Sequence, residues 1–320
     1  MRAVVLDTAV DGDGRYRVDE VAEPVPGPGE VAIRVAYAGV QWGDVLVRGG
    51  HLPLPGPGVP GFEAAGRIVA VGEGVARGRV GEEVVALVDG GACAEVVLAP
   101  EALALGIGPA SLRDAAGPGW AGPTAYDLVE EVGRVREGDR VLVHAAAGGV
   151  GTLAVQFARA AGAAEVVGVA GSPERAAYAE GFGYDRVVTR DEFPAVLGDD
   201  RFDVVLDPVG GATRTANVAL LAPHGRLAVY GNLAAYDPVE ISADDLLMQG
   251  LSVLAYNSAL LSRTHPARLA ASARRVLGLL AAGRIRVGLG SELPLDGVGD
   301  AVSRLAAGAA SPGKTLLRVS

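Results

Sequence analysis

The sequence predicts an α/β protein in which a parallel, doubly wound sheet is joined to a β-rich, turn-rich domain, and three observations carry that expectation. From Arg140 onwards, short β-branched runs alternate with helical segments, the pattern of strands linked by crossover helices. Before about residue 120 the apolar runs are instead short, extended in character and bounded by Gly and Pro. Between them, the buried strand Arg140–His144 runs into the glycine turn Ala145-Ala-Ala-Gly-Gly-Val-Gly151 and then a helix from Thr152 to Ala161. Such a turn stands at the carboxyl end of a strand, where open α/β sheets bind ligands.

Each element follows from its residues in order. Residues 29–37, 66–72 and 82–87 read as strands of a compact, barrel-like domain. The Pro/Gly-rich stretch His51–Gly61 has neither helical nor strand period, and is either a surface loop or a loop lining a cleft. After the glycine turn come strand Glu165–Val169, helix Pro173–Phe182, strand Arg186–Val188, strand Phe202–Leu206, helix Ala212–Leu221, and strands Arg226–Val229 and Leu251–Ala255. The tail from Ser258 holds one long amphipathic helix, Pro266–Ala282, and two strands, Val287–Leu289 and Lys314–Val319. It is short for a domain and is expected to pack on the first one, giving a discontinuous domain of residues 1–121 and 258–320 around a nucleotide domain of 122–257.

Composition narrows the function classes. The 320 residues carry 28 Lys and Arg against 38 Asp and Glu, a formal charge of −10. With no basic cluster, the chain lacks the positive footprint that nucleic acid or an anionic membrane requires, so a small-molecule partner is expected. No apolar run approaches the length of a membrane span, and the N-terminal run Ala3–Leu6 is too short for a signal peptide. The cytoplasm is the expected location. Cys93 is the single cysteine, so no intrachain disulfide forms, in keeping with a reducing compartment.

The glycine turn points to a dinucleotide. Gly148 and Gly151 take the second and third glycine positions of a G-x-G-x-x-G pattern, Ala146 takes the first, and Gly149 keeps the inner surface bare. A missing Cβ lets backbone approach pyrophosphate, and the following helix offers unpaired N–H groups and the positive end of its dipole. Ala147, Gly148, Gly149, Val150 and Gly151 are therefore the candidate phosphate ligands of a nicotinamide or flavin dinucleotide. About twenty residues on, where NAD-binding versions place an acid for the ribose hydroxyls, this chain has Gly171 and Ser172. No carboxylate repels a 2′-phosphate there, and Ser172, Arg175 and Arg190 supply donors and positive charge. NADPH is favoured over NADH, since charge-assisted hydrogen bonds contribute about 1.5–3 kcal/mol each.

At this point the residues resemble a family. His144–Gly151 with Gln156–Gly162, Gly39–Gly49, Pro60–Gly66, Val69–Gly74, Pro123–Tyr126, Gly231-Asn232 and Gly313–Leu317 are similar, in order and over nearly the whole chain, to the zinc-independent quinone oxidoreductases, the zeta-crystallin-like branch of the medium-chain dehydrogenase/reductases. The resemblance implies a GroES-like catalytic domain, a Rossmann domain, a cleft between them, and a homodimer formed through the last nucleotide-domain strand, Leu251–Tyr256. The zinc alcohol dehydrogenases of this superfamily carry a Cys where this chain has Gln41, and Gly-His-Glu where it has Gly61-Phe62-Glu63. The four histidines, His51, His144, His224 and His265, show no metal-ligand spacing. No metal is expected, and without a Lewis acid to hold an alkoxide, reduction of a conjugated acceptor is the better fit than alcohol oxidation.

Hydride delivered to a quinone or α,β-unsaturated carbonyl leaves negative charge on an oxygen, which one or two donors must meet. Gln41, Tyr126, Tyr256 and Asn257 are the candidate donors. Asp44 either positions its loop, relays a proton or caps the helix beginning there. Tyr126 is either a donor or a packed residue at the domain junction, and Thr124 is assigned to the nicotinamide carboxamide. Asn232 either contacts the cofactor or makes an ordinary turn. The quinone-reducing relatives often have Asn at Gln41 and tyrosines near Leu46 and Leu52; leucines there suit an aliphatic enone or acyl chain better than a flat quinone. Enoyl-thioester reductases of polyketide-type pathways share the Asp44-Val-Leu46 segment, with Arg175 and Asp191 as faint matches to their basic and acidic pair. The remaining alternative is a nucleotide-binding protein without turnover.

Overall fold

A computed structural model describes residues 1–7, 14–54, 58–233 and 239–320, and resolves them into two compact units, Met1–Pro123 with Ala259–Ser320, and Thr124–Ser258. In chain order the first run of elements is β1 (Arg2–Asp7), β2 (Arg15–Glu20), β3 (Glu30–Gly39), α1 (Trp42–Arg48), β4 (Glu63–Val71), β5 (Glu83–Leu87), β6 (Val96–Pro100), β7 (Ala104–Gly106), α2 (Leu112–Ala116) and α3 (Ala121–Asp127). The second run is β8 (Arg140–His144), α4 (Gly149–Ala160), β9 (Glu165–Ala170), α5 (Pro173–Glu180), β10 (Arg186–Thr189), β11 (Phe202–Asp207), α6 (Gly211–Ala219), β12 (Leu221–Val229), α7 (Ala243–Gln249) and β13 (Ser252–Ala255). The tail adds α8 (Ser258–Thr264), α9 (Pro266–Ala281), β14 (Leu289–Pro294), α10 (Val298–Ala306) and β15 (Lys314–Arg318).

In the first unit, β14, β15, β3, β4, β5 and β7 lie side by side in that order, with β6 also paired to β3. The tail enters this sheet through β15, antiparallel to β3 with Leu316 opposite Gly39. Strand β5 is buried on both faces: Val84 and Ala86 join the core of Val31, Ile33, Val35 and Leu317, while Val85 and Leu87 join a second core with Phe62, Trp120, Leu269 and Leu277. Leu52 and Leu54, from the Pro/Gly-rich stretch, pack on that second core; its residues 55–57 lie outside the described residues.

The second unit is a six-stranded, all-parallel sheet in the order β10-β9-β8-β11-β12-β13. This is the α/β architecture that the alternation of runs predicts. Its strands are near-continuous apolar runs because both faces are covered, and Leu142, Val167, Val205, Leu227 and Phe202 form its core, each contributing about 1.5–3 kcal/mol. Strand β8 pairs with β9 on one side and β11 on the other, so the order reverses beside it. The crevice outside the carboxyl end of β8 is therefore where a ligand is expected.

Three expectations need correction. The tail strand runs Leu289–Pro294 rather than Val287–Leu289. Strand β12 begins at Leu221, inside the segment read as helix, because Leu221 pairs with Phe202 before the chain loops out and resumes at Arg226 opposite Val204. Helix α4 starts at Gly149 rather than Thr152, since the turn glycines are themselves its first residues. Among the described residues no helix is long and apolar enough to cross a membrane.

Candidate functional site

The carboxyl end of β8 is shaped by two residues that no glycine count reveals. Ala145 adopts a left-handed backbone with φ of 53°, which turns the chain sharply off the strand. Gly148 then sits at the N-cap of α4, with its N–H donated to the Ala145 carbonyl at 2.9 Å. A Cβ on Gly151 would come within 2.5 Å of the Ala145 oxygen and 2.7 Å of the Ala146 Cα, both backbone atoms. Gly151 is thus required for helix α4 to close on the turn. Its carbonyl accepts the buried Tyr184 hydroxyl at 2.8 Å, a lock that sequence reading missed because the residues are 33 apart. Buried Thr152 donates to the Gly148 carbonyl at 3.1 Å. The structure therefore brings Ala147, Gly148, Gly149, Val150 and Gly151 together as a bare turn feeding a helix of 12 residues, with the N–H groups of the first turn left for an anion.

The end of β9 supplies the second part. A Cβ on Gly171 would lie 3.7 Å from Arg175 Cδ and 3.9 Å from Arg190 Nη2, so both arginine side chains approach this bare backbone, Arg190 with its guanidinium and Arg175 with its methylene stem. Ser172 caps α5, its hydroxyl oxygen accepting the Arg175 N–H at 3.3 Å. That oxygen is engaged, and its proton remains to be donated. Beyond β11, buried Asp207 accepts the Val209 and Gly210 N–H groups at 2.7 and 3.1 Å and pairs with Arg214 at 2.9 Å. Arg214 also donates to the Gly231 carbonyl and to Asn232 Oδ1 at 3.0 Å. Because a guanidinium only donates, it fixes the Asn232 carboxamide with its NH₂ turned away as a donor. Tyr126 packs edge-on against Phe157 at 5.5 Å, near buried Thr124 in the same helix. The Tyr256 hydroxyl donates its proton to buried Asp127 at 2.8 Å, so that proton is committed to holding the end of β13 to α3. Asn257 follows on the exposed side.

In the first unit, Gln41 is the N-cap of α1 and Asp44 its third residue. Asp44 is buried, and its two carboxylate oxygens accept the Gln41 N–H at 2.9 Å and the Gly61 N–H at 3.1 Å. These contacts tie the start of α1 to the Pro60–Phe62 loop. Burial pushes the Asp44 carboxyl up to about 7, against the opposing pull of those N–H groups and of Lys314. Glu63, fully buried, accepts the Trp120 N–H at 2.5 Å and pairs with Lys314 Nζ. It occupies a slot where a Cβ on Gly39 would come within 2.5 Å. Among the described residues no three His, Cys, Asp or Glu side chains are grouped as metal ligands.

The sign of the Asp44 shift gives a stability prediction. A carboxyl whose folded-state value is raised from 3.8 to about 7 stabilises the fold fully below the unfolded value and loses that contribution as pH rises through 7. Asp44→Asn has no such proton. Denaturant unfolding followed by the fluorescence of Trp42 and Trp120, both in this unit, should show the wild-type advantage over D44N shrinking by about 2–3 kcal/mol between pH 5 and 8. An advantage that stays constant or grows refutes the shift.

A turn and helix shaped for a dinucleotide, in a parallel sheet accompanied by a β-rich unit, define a nucleotide-dependent dehydrogenase or reductase. Comparison agrees. Residues 27–122 match the alcohol dehydrogenase GroES-like domain and residues 149–272 the zinc-binding dehydrogenase domain. The human synaptic vesicle membrane protein VAT-1 homolog is 31% identical over 331 residues, covering 95% of this chain and 83% of that protein. Phthioceranic/hydroxyphthioceranic acid synthase of Mycobacterium tuberculosis is 34% identical over 92% of the chain, which spans only 14% of that much longer protein. Among solved structures, Escherichia coli quinone oxidoreductase complexed with NADPH superposes with a TM-score of 0.87, 26% identity and 99% coverage of both chains. The chain belongs to the medium-chain dehydrogenase/reductase superfamily, in its quinone-oxidoreductase-like branch, and is an oxidoreductase by family.

Proposed function

We propose that the chain is an NADPH-dependent reductase that adds hydride to a quinone or α,β-unsaturated carbonyl without a metal ion. The convergence of Arg175 and Arg190 on Gly171, with no carboxylate ending β9, carries the choice of NADPH. Two arginines suit the charge of a 2′-phosphate, which an acid at that place would repel. The solved quinone oxidoreductase that holds NADPH supports the same reading. The cradle that a Cβ on Gly151 would fill fits the pyrophosphate, and α4 directs its N–H groups at it. NADPH bound there supplies the hydride.

The chain's own residues bind, orient and meet charge. Arg214, by fixing the Asn232 amide, presents an NH₂ donor at the carboxyl end of β12. Gln41 is the candidate donor to the developing oxyanion; Asp44, with both oxygens held by backbone N–H groups, acts as the residue that positions the Gln41 loop. Tyr126 remains a candidate donor, and Tyr256 a support for its own strand. The metal-free reading rests on donor chemistry. Gln41 and Phe62 stand where zinc relatives place soft ligands, and Glu63 is engaged by Lys314 and Trp120. The matched domain's zinc-binding description therefore does not carry over. An enoyl thioester is the second acceptor class, favoured by the synthase relative and by leucines at 46 and 52. A homodimer is supported by β13, which pairs only with β12 among the described residues, and by Leu247 and Met248 beside it, 76% and 82% exposed.

Purified protein with NADPH and a panel of quinones, enals and enoyl thioesters tests the activity. Oxidation of NADPH with at least one class is expected, and binding without turnover on every acceptor refutes the reductase reading. The coenzyme pocket is tested separately: Arg175→Ala and Arg190→Ala should weaken NADPH by about tenfold or more, as loss of a charge-assisted bond requires, and leave NADH nearly unchanged. An unaltered NADPH to NADH ratio in both variants removes the assignment.

A further inference from the structure

We infer that the second unit carries a binding site for a small polyanion, a phosphate ester or polycarboxylate, at the amino-terminal end of its parallel sheet, opposite the glycine turn. A depression of about 360 Å³ opens there among Arg134, Arg136, His224, Arg226, Asp203 and Ser252. That volume falls within the range of small-molecule pockets.

The charges leave cations facing the opening. Asp139 is taken by Arg226 at 2.7 Å and by the Arg136 N–H at 3.0 Å, and Asp203 Oδ2 accepts the Arg140 N–H at 2.8 Å. Arg226 donates its other Nη to the Arg134 carbonyl at 2.9 Å. No ion pair among the described residues uses the guanidinium groups of Arg134 or Arg136. In a chain of net charge −10, this depression holds three arginines against two aspartates. Guanidinium forks bind phosphate and carboxylate oxygens in pairs.

The backbone is shaped for those side chains. Only three described residues other than glycine have positive φ: Ala145 in the glycine turn, and Arg134 at 48° and His224 at 65°, both lining this depression. Glycine would adopt these conformations without strain, and strained non-glycine residues gather at functional sites. His224 stands on the loop-out of β12, where the register jumps from Leu221 opposite Phe202 to Arg226 opposite Val204. Bulged strands commonly re-aim a side chain beside a site. The imidazole rests over Gly250, where a Cβ would collide with Nδ1. Strain, bulge and bare glycine thus all hold His224 at the rim beside Arg134.

Calorimetric titration with pyrophosphate and with citrate, at constant ionic strength, tests the site. Wild type should bind one equivalent of at least one of them saturably. Pyrophosphate binding more tightly identifies a phosphate ester as the ligand class, and citrate a polycarboxylate. The Arg134→Gly/His224→Gly double variant keeps the left-handed backbone and should melt within a few degrees of wild type, yet bind at least tenfold more weakly. Saturating NADPH, which would fill the glycine turn, should leave this binding unchanged. Should the double variant not fold, Arg136→Ala, an exposed side chain, carries the same expectation. Absence of saturable binding, equal binding by wild type and site variants, or loss of binding when NADPH is present overturns the proposal.

Discussion

Replacing Lys314 with methionine is expected to cost about 3–5 kcal/mol of stability in the first unit, the usual effect of leaving a buried charge without its partner. Lys314 and Glu63 are 6% and 1% exposed at the side chain. Without the ammonium, the buried Glu63 carboxylate keeps the Trp120 N–H as a donor and lies so close to Gly39 that a Cβ there would come within 2.5 Å of it. The double variant Glu63→Gln/Lys314→Met removes both charges and should be less destabilised than the sum of the single variants by more than 1 kcal/mol, as expected of directly coupled groups. Chemical denaturation read by tryptophan fluorescence measures this, since Trp120 contacts Glu63 directly. A K314M variant within about 1 kcal/mol of wild type, a change typical of a surface ion pair, rules the pair out as a structural element.

That ion pair also shows where sequence reading stops. Both residues lie in motifs that carry the family resemblance, Pro60–Gly66 and Gly313–Leu317, yet they are 251 positions apart. Nothing local joins them; only the antiparallel pairing of β15 with β3 and of β3 with β4 brings them together. The same limit hid the Tyr184 hydroxyl under Gly151 and the Asp207, Arg214 and Asn232 network. The parallel sheet, in contrast, is legible because each strand must be apolar on both faces, so the runs stand out from the helices between them. Strand β2 did not stand out, since Arg-Tyr-Arg-Val-Asp-Glu is mostly charged and none of its residues is fully buried. The tail strand was misplaced because Val287, apolar and β-branched, invites an extended reading, while the pairing with β15 begins only at Leu289. The glycine turn was legible in the sequence because its requirement is local: missing side chains at fixed offsets before a helix. What the turn needs from its surroundings was not.

Gly151→Ala is the sharpest test of that turn. Its new methyl would fall 2.5 Å from the Ala145 carbonyl oxygen and 2.7 Å from the Ala146 Cα and carbonyl oxygen, and all three are backbone atoms that cannot rotate aside. Ala145 is already in a left-handed conformation, so the turn has little freedom to open without losing the N–H array at the start of α4. The expected result is a fall in NADPH affinity of about a hundredfold, corresponding to roughly 2.7 kcal/mol, measured by coenzyme titration. Gly278→Ala separates this from any generic effect of replacing glycine. It lies on the exposed face of α9 with nothing within 4 Å of the new Cβ, and alanine there should stabilise the helix by about 0.5–1 kcal/mol with coenzyme affinity unchanged. The two substitutions add the same methyl group, so their opposite outcomes would isolate steric closure of the turn as the cause. NADPH binding by Gly151→Ala at wild-type affinity would mean that the coenzyme does not depend on this turn, and the reading of the second unit as its seat would fail with it.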